Sequence, residues 1–167
     1  TLGASAGVVG LVAGIGEFVG YALRLASGYL VDRTKAYWSL TFIGYGLLFS
    51  IPLLAFAGYW QLAAVLIILE RVGKAIRSPA RDTMLSYAAK GVGRGWGFAV
   101  HEVLDQIGGI IGPGVFSLVF LFHGDYREGF TLLWIPALLT LVVLAIARKR
   151  VPLPQKLEAP WETSRQD

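Results

Sequence analysis

Glu17 and Arg24 stand two helical turns apart inside a long apolar stretch, where little water is at hand to solvate a carboxylate or a guanidinium. Glu70, Arg71, Lys74 and Arg77 follow the apolar run LAAVLIIL (62–69), and His101, Glu102 and Asp105 lie in a further apolar segment. A charge at membrane depth is costly. It is kept where it faces a bundle interior or a water-filled cavity, and there it marks an ion or solute path. The chemistry these groups suggest is therefore binding and proton handling along a membrane path. Glu17, Arg24, Glu70, Arg71 and Asp105 are the candidate cavity and coupling residues. Asp105 is the proton-site candidate of its segment, because it lies further into the span than His101.

The elements that must hold these groups are helices. A crossing helix needs about 20 residues, and five segments qualify: about 3–30, 38–58, 61–87, 96–122 and 129–147. The breaks are short and polar: DRTKAY (32–37), GYWQ (58–61), AKGVGRG (89–95) and HGDYREG (123–129). A closed barrel is the other spanning solution, but its strands would alternate apolar and polar residues. LAAVLIIL (62–69) and LLTLVVLAIA (138–147) do not alternate. The expected fold class is all-α, a polytopic transmembrane helical bundle of about five crossings over residues 1–150. Residues 151–167 read as a polar, Pro-containing, flexible tail.

Composition agrees. Of 167 residues, 55% are hydrophobic and only 16% charged, where a soluble domain would carry about a quarter charged. The mean hydropathy is +0.60. The net charge of +4 is no sign of nucleic-acid binding, since the basic residues cluster at the ends of apolar segments. Arg33 and Lys35, then Arg81, Lys90 and Arg94, then Arg148, Lys149, Arg150 and Lys156 fall on one side of a five-helix topology. By the bias of short cytoplasmic loops toward Lys and Arg, the tail is expected in the cytoplasm and the N-terminus outside. Trp38, Trp60 and Trp96 fall at expected interfaces. Thr1 opens almost directly into an apolar run, so the chain reads as a piece of something longer or a processed form.

On the first helix Gly3, Gly7, Gly10, Gly14, Glu17, Tyr21, Arg24 and Gly28 form one stripe; its glycines read as a packing seam, and Glu17 and Arg24 read either as lining a cavity or as forming a structural ion pair with neighbouring helices. On the third, Glu70, Lys74, Arg77 and Arg81 make one stripe and Arg71, Ser78 and Asp82 its neighbour. Pro79 is expected to kink or end that helix. The loop GVGRGWG (91–97) lacks the Lys-Ser/Thr end of a phosphate loop and reads as a turn. His101 and Asp105 share a face, but His-Glu-x-x-His is absent and His123 is the one other histidine. Neither a metal site nor an enzyme is expected, and no cofactor. With no cysteine, thiolate sites and disulfides are excluded.

Three strings resemble signatures of the major facilitator superfamily. Gly-Tyr-Leu-Val-Asp-Arg (28–33) is similar to the loop signature between that family's second and third helices. The resemblance gives Asp32 a gating role on the cytoplasmic side, with Gly28 allowing close packing and Arg33 in the same charge cluster. ERVGKAIRSPARD (70–82) resembles the fourth-helix signature, which makes Arg71 the buried arginine associated with proton coupling. Gly108, Gly112 and Pro113 resemble the fifth-helix signature of antiporters, and also read as a kinked packing motif. The matches depart from the family at Lys35, Ala36 and Tyr37, at Ala75, and at Phe116 and Ser117.

The resemblance spans about residues 1–150 and implies the second to sixth helices of a twelve-helix carrier. The first helix and the C-terminal half would then be missing partners, alongside the lipid bilayer. It implies part of a secondary transporter in a bacterial inner membrane, moving a small solute by alternating access in proton-coupled efflux by antiport. The rival expectation is a transport-inactive half-transporter acting as a structural or interaction protein.

Overall fold

The computed structural model describes residues 3–123 and 125–157, and the described residues are helical throughout, joined by short turns. The first helix, α1 (Ala6–Thr34), starts where the Ser5 hydroxyl accepts the Val8 N–H. It stops where Lys35 turns left-handed (φ 52°) and returns its N–H to the Val31 carbonyl at 2.8 Å. Then come α2 (Tyr37–Gly46), a 3₁₀ turn (Leu47–Phe49), α3 (Ser50–Leu53) and a second 3₁₀ turn (Leu54–Phe56). Together these make one 20-residue span, Tyr37–Phe56. Its second half tightens around Pro52, which has no N–H to give the carbonyl four residues back.

The long helix α4 (Trp60–Ala88) is the axis of the bundle, with α1 packed on one flank and α2 on the other. Among the described residues, four spans are both long and apolar enough to cross a membrane: Ala6–Thr34, Tyr37–Phe56, Arg94–Phe122 and Tyr126–Arg150. At 29 residues α4 has the length as well, about 44 Å at 1.5 Å per residue. Its charged sector is what sets it apart. That sector divides between its neighbours. Arg71, Lys74 and Ser78 turn toward α1, while Arg77 turns toward α2, its guanidinium 4.7 Å from the Tyr45 ring and its Nη1 3.4 Å from the Gly44 carbonyl.

α2 and α4 touch backbone to backbone. A Cβ on Gly44 would lie 2.6 Å from the Gly73 carbonyl oxygen, and one on Gly73 would lie 2.7 Å from the Gly44 carbonyl oxygen. Both glycines are buried. Toward the end of the bundle that carries the Thr34–Tyr37 turn, Val31, Tyr37, Leu40 and Ala80 close a small core, backed by Ile76, Met84 and Tyr87.

Pro79 does not end α4; the helix runs on for nine more residues. The proline lacks the N–H that would bond Ala75, four residues back. The Ser27 hydroxyl of α1 supplies the missing donor and meets the Ala75 carbonyl at 2.7 Å in a buried contact. Neighbouring hydroxyls are how membrane helices tolerate proline. Ser27→Ala is expected to destabilise the fold by about 1–2 kcal/mol, since it orphans a buried carbonyl. Pro79→Ala in the same chain should restore the N–H and recover most of that loss. A double-mutant cycle of thermal unfolding midpoints checks this, and additive losses would break the link between the two residues.

The α1–α4 seam takes only part of the predicted stripe, Glu17, Arg24 and Gly28. Gly16, Ser27 and Val31 are the buried residues of α1, and Gly16 and Gly20 lie against Arg71. A Cβ at Gly10 or Gly14 would meet nothing within 4 Å among the described residues, and Gly3 precedes the helix. The face is set by where α4 offers small or flexible partners, Ala75 and the Arg71 stem. Glycine spacing along α1 does not show that.

Beyond α4, Gly93 turns the chain with φ 97°, a conformation suited to glycine. α5 (Arg94–His123) then runs through Pro113. The last predicted span is broken into α6 (Tyr126–Leu132) and α7 (Trp134–Arg150) at Leu133, three residues before Pro136. The start of the tail is docked: Pro154–Leu157 forms a 3₁₀ turn against α4 with Pro154 buried, and Trp38 Nε1 donates to the Val151 carbonyl at 2.9 Å. Residues 158–167 of the predicted tail lie outside the described residues.

Candidate solute cleft

Between α1 and α4 lies a cleft of about 190 Å³, lined by Glu17, Gly20, Tyr21, Arg24, Arg71, Lys74 and Ala75. Its centre is the ion pair between Arg71 Nη1 and Glu17 Oε1 at 2.5 Å, which joins the two helices. Glu70, on the same helix as Arg71, reaches its Nε at 3.7 Å. One guanidinium is thus shared between a carboxylate across the interface and one beside it. A turn further on, Arg24 Nη2 donates to the Ser78 hydroxyl at 3.2 Å, and that hydroxyl donates to the Lys74 carbonyl at 2.7 Å. The Lys74 ammonium is exposed in the cleft with no hydrogen bond or ion pair among the described residues.

Four predicted cavity residues, Glu17, Arg24, Glu70 and Arg71, therefore come together. Asp105 does not join them. It is exposed on α5, with no ion pair or hydrogen bond among the described residues. Its helix neighbours pair with each other, Gln106 Nε2 donating to Glu102 Oε1 at 2.8 Å. Lys74 and Tyr21 are cleft residues not among the predicted candidates. Steps of three and four from Arg71 and Glu17 were the signal that would have found them.

The gate candidates lie at the end of α1. The Arg33 guanidinium sits 5.5 Å from the Tyr29 ring, and Asp32 is exposed without a partner among the described residues. A Cβ on Gly28 would come to 4.0 Å of the Pro79 side chain, so this glycine lies along the α1–α4 contact. On α5, a Cβ at Gly108 or Gly112 would meet nothing within 4 Å among the described residues, and Pro113 is exposed. A separate, mostly apolar cavity of about 280 Å³ has Trp38, Thr41, Met84, His101 and Leu144 among its walls.

Residues 1–166 match the family profile described as Major Facilitator Superfamily. The chain belongs to the major facilitator superfamily. This facilitator chain is 46% identical over 160 residues to an uncharacterized protein of Mycobacterium tuberculosis, covering 95% of this chain and 39% of that protein. The same figures hold for an uncharacterized protein of Mycobacterium bovis. It is 32% identical over 121 residues to an uncharacterized MFS-type transporter of Methanocaldococcus jannaschii, covering 71% of this chain and 29% of that one. The facilitator chain thus spans about two fifths of the length of the curated mycobacterial relatives it matches. No solved structure matches it.

Proposed function

We propose that this facilitator chain is part of a secondary carrier that moves a small solute across the membrane by alternating access, driven by protons and working in export. The observation that carries this reading is the Arg71–Glu17 pair, a charged link between two helices at the centre of a polar cleft. Fixed charges of this kind in a membrane bundle serve a path.

The shared guanidinium also suggests how a proton is felt. With Glu17 charged, Arg71 ties α4 to α1. With Glu17 protonated, Arg71 keeps only Glu70, on its own helix, and the tie across the interface loosens. The solute path would be completed by the first helix and the C-terminal half of the carrier. The Asp32–Arg33 turn would gate the cytoplasmic side. The tail would be cytoplasmic, the N-terminus outside, and the home a bacterial inner membrane, as the loop basic residues suggest. Export by antiport rests on the Gly108, Gly112 and Pro113 string.

Asp105 is the second proton candidate, and its test is separate. In the complete carrier reconstituted in proteoliposomes, Asp105→Asn is expected to abolish proton movement driven by solute, read with an internal pH dye. Coupling that survives unchanged would make Asp105 structural.

A further inference from the structure

The cleft's charges are unequal, and the inequality names a class of solute. Arg24, Arg71 and Lys74 face it from two helices, against the single carboxylate of Glu17 in its lining. A second carboxylate, Glu70, also falls on Arg71. Both acids thus reach Arg71, and neither is within ion-pair distance of Arg24 or Lys74 among the described residues. Arg24 is left with a neutral hydroxyl, and Lys74 has no partner among the described residues. Two cations without a countercharge at membrane depth are unfavourable unless an anion meets them. Basic side chains lining a narrow path are also how pores and carriers favour anions.

Resting on the solute-path reading above, we propose that the solute is an anion whose carboxylate or phosphate group sits between Arg24 and Lys74. The planar fork of Arg24 would take two oxygens, and the Lys74 ammonium would act as a point charge. The Tyr21 side chain stands beside them. The space is small. At about 30 Å³ per water it equals about six waters, enough for the charged head of a solute. The Arg71–Glu17 pair would be left intact by the bound anion, since it is already satisfied.

The test reads the local field with charged thiol reagents in the complete carrier. This stretch contains no cysteine, and cysteines elsewhere in the carrier are first replaced. Tyr21→Cys, with Gly20→Cys as a second reporter, places a thiol in the cleft. Its rates with anionic sulfonatoethyl methanethiosulfonate and cationic trimethylammonioethyl methanethiosulfonate are each divided by the reagent's rate on a free thiol. The anionic reagent is expected to be favoured by about tenfold or more. Adding Lys74→Gln should bring the ratio toward one, while Lys149→Gln, at the end of α7, should not move it. Equal rates, or a preference for the cation, would overturn the anion assignment and leave the path standing. If neither reagent reacts at either reporter, the cleft is not a water-filled path, and both readings fall.

Discussion

Gly73→Leu is expected to leave almost no folded carrier in the membrane. The reason is the closeness of α2 and α4. A bare Cβ at Gly73 would already stand 2.7 Å from the Gly44 carbonyl oxygen and 2.7 Å from Leu47 Cβ. From the other side, a Cβ at Gly44 would meet Arg77 Cβ at 2.5 Å and the Arg77 amide nitrogen at 2.9 Å. These are backbone atoms and first side-chain carbons, so no rotamer change relieves them. The helices must part, and α4 is the element on which α1 and α2 both rest. Overpacking costs about 1–3 kcal/mol where side chains can yield. Gly73→Ala should fall at the upper end of that range, and leucine beyond it.

Gly46→Ala supplies the contrast. It lies on the same span two residues from Gly44, and a Cβ there meets nothing within 4 Å among the described residues. It should be neutral or slightly stabilising, because it removes backbone freedom without a clash. Yield of monodisperse protein and the thermal unfolding midpoint check both variants. If Gly73→Leu purifies and melts as the wild type does, the two helices do not approach as described.

That contact shows where the sequence is silent. The apolar runs and their polar breaks announce helices, because hydrocarbon forces backbone groups to pair within each segment. The charged residues announce a cleft, because membrane depth leaves them few other places. What the chain does not announce is which face meets which neighbour. Gly44 and Gly73 look like any other glycines in a glycine-rich chain, and only the crossing of α2 over α4 singles them out. Pro79 reads as a kink or a stop because its remedy, Ser27, lies 52 positions earlier in the chain and on another helix. For the same reason the stripe of α1 glycines does not name its partner helix. Its spacing describes one helix, while the seam depends on the Arg71 stem and Ala75 of another. Asp105 illustrates the converse. Its depth in a span is legible, but it stays exposed and outside the lining that holds Glu17 and Arg71.

Glu17→Gln carries the other large effect, and it falls on transport more than on folding. Removing the carboxylate leaves Arg71 with Glu70, 3.7 Å away on its own helix. Breaking a fully buried pair costs about 3–5 kcal/mol. Here the Arg71 and Glu17 side chains are 33% and 49% exposed, and solvent screening brings the folding loss down to about 1 kcal/mol. The balance between conformations is more sensitive. If the pair is made in one state of the carrier and open in the other, losing about 1 kcal/mol of differential contact shifts that balance by about fivefold. Solute flux in proteoliposomes should fall accordingly.

Arg71→Gln should be worse for folding, because Glu17 and Glu70 are then left without a cation between them. The Glu17→Gln/Arg71→Gln pair separates the two roles. It leaves Glu70 as the one charge of the group and no ion pair across the α1–α4 interface, so thermal stability should return above that of Arg71→Gln while transport stays lost. A double variant that regains both stability and flux would show that the pair only holds α1 to α4. One that regains stability alone would show that the charge itself, made and broken across the interface, is part of the transport cycle.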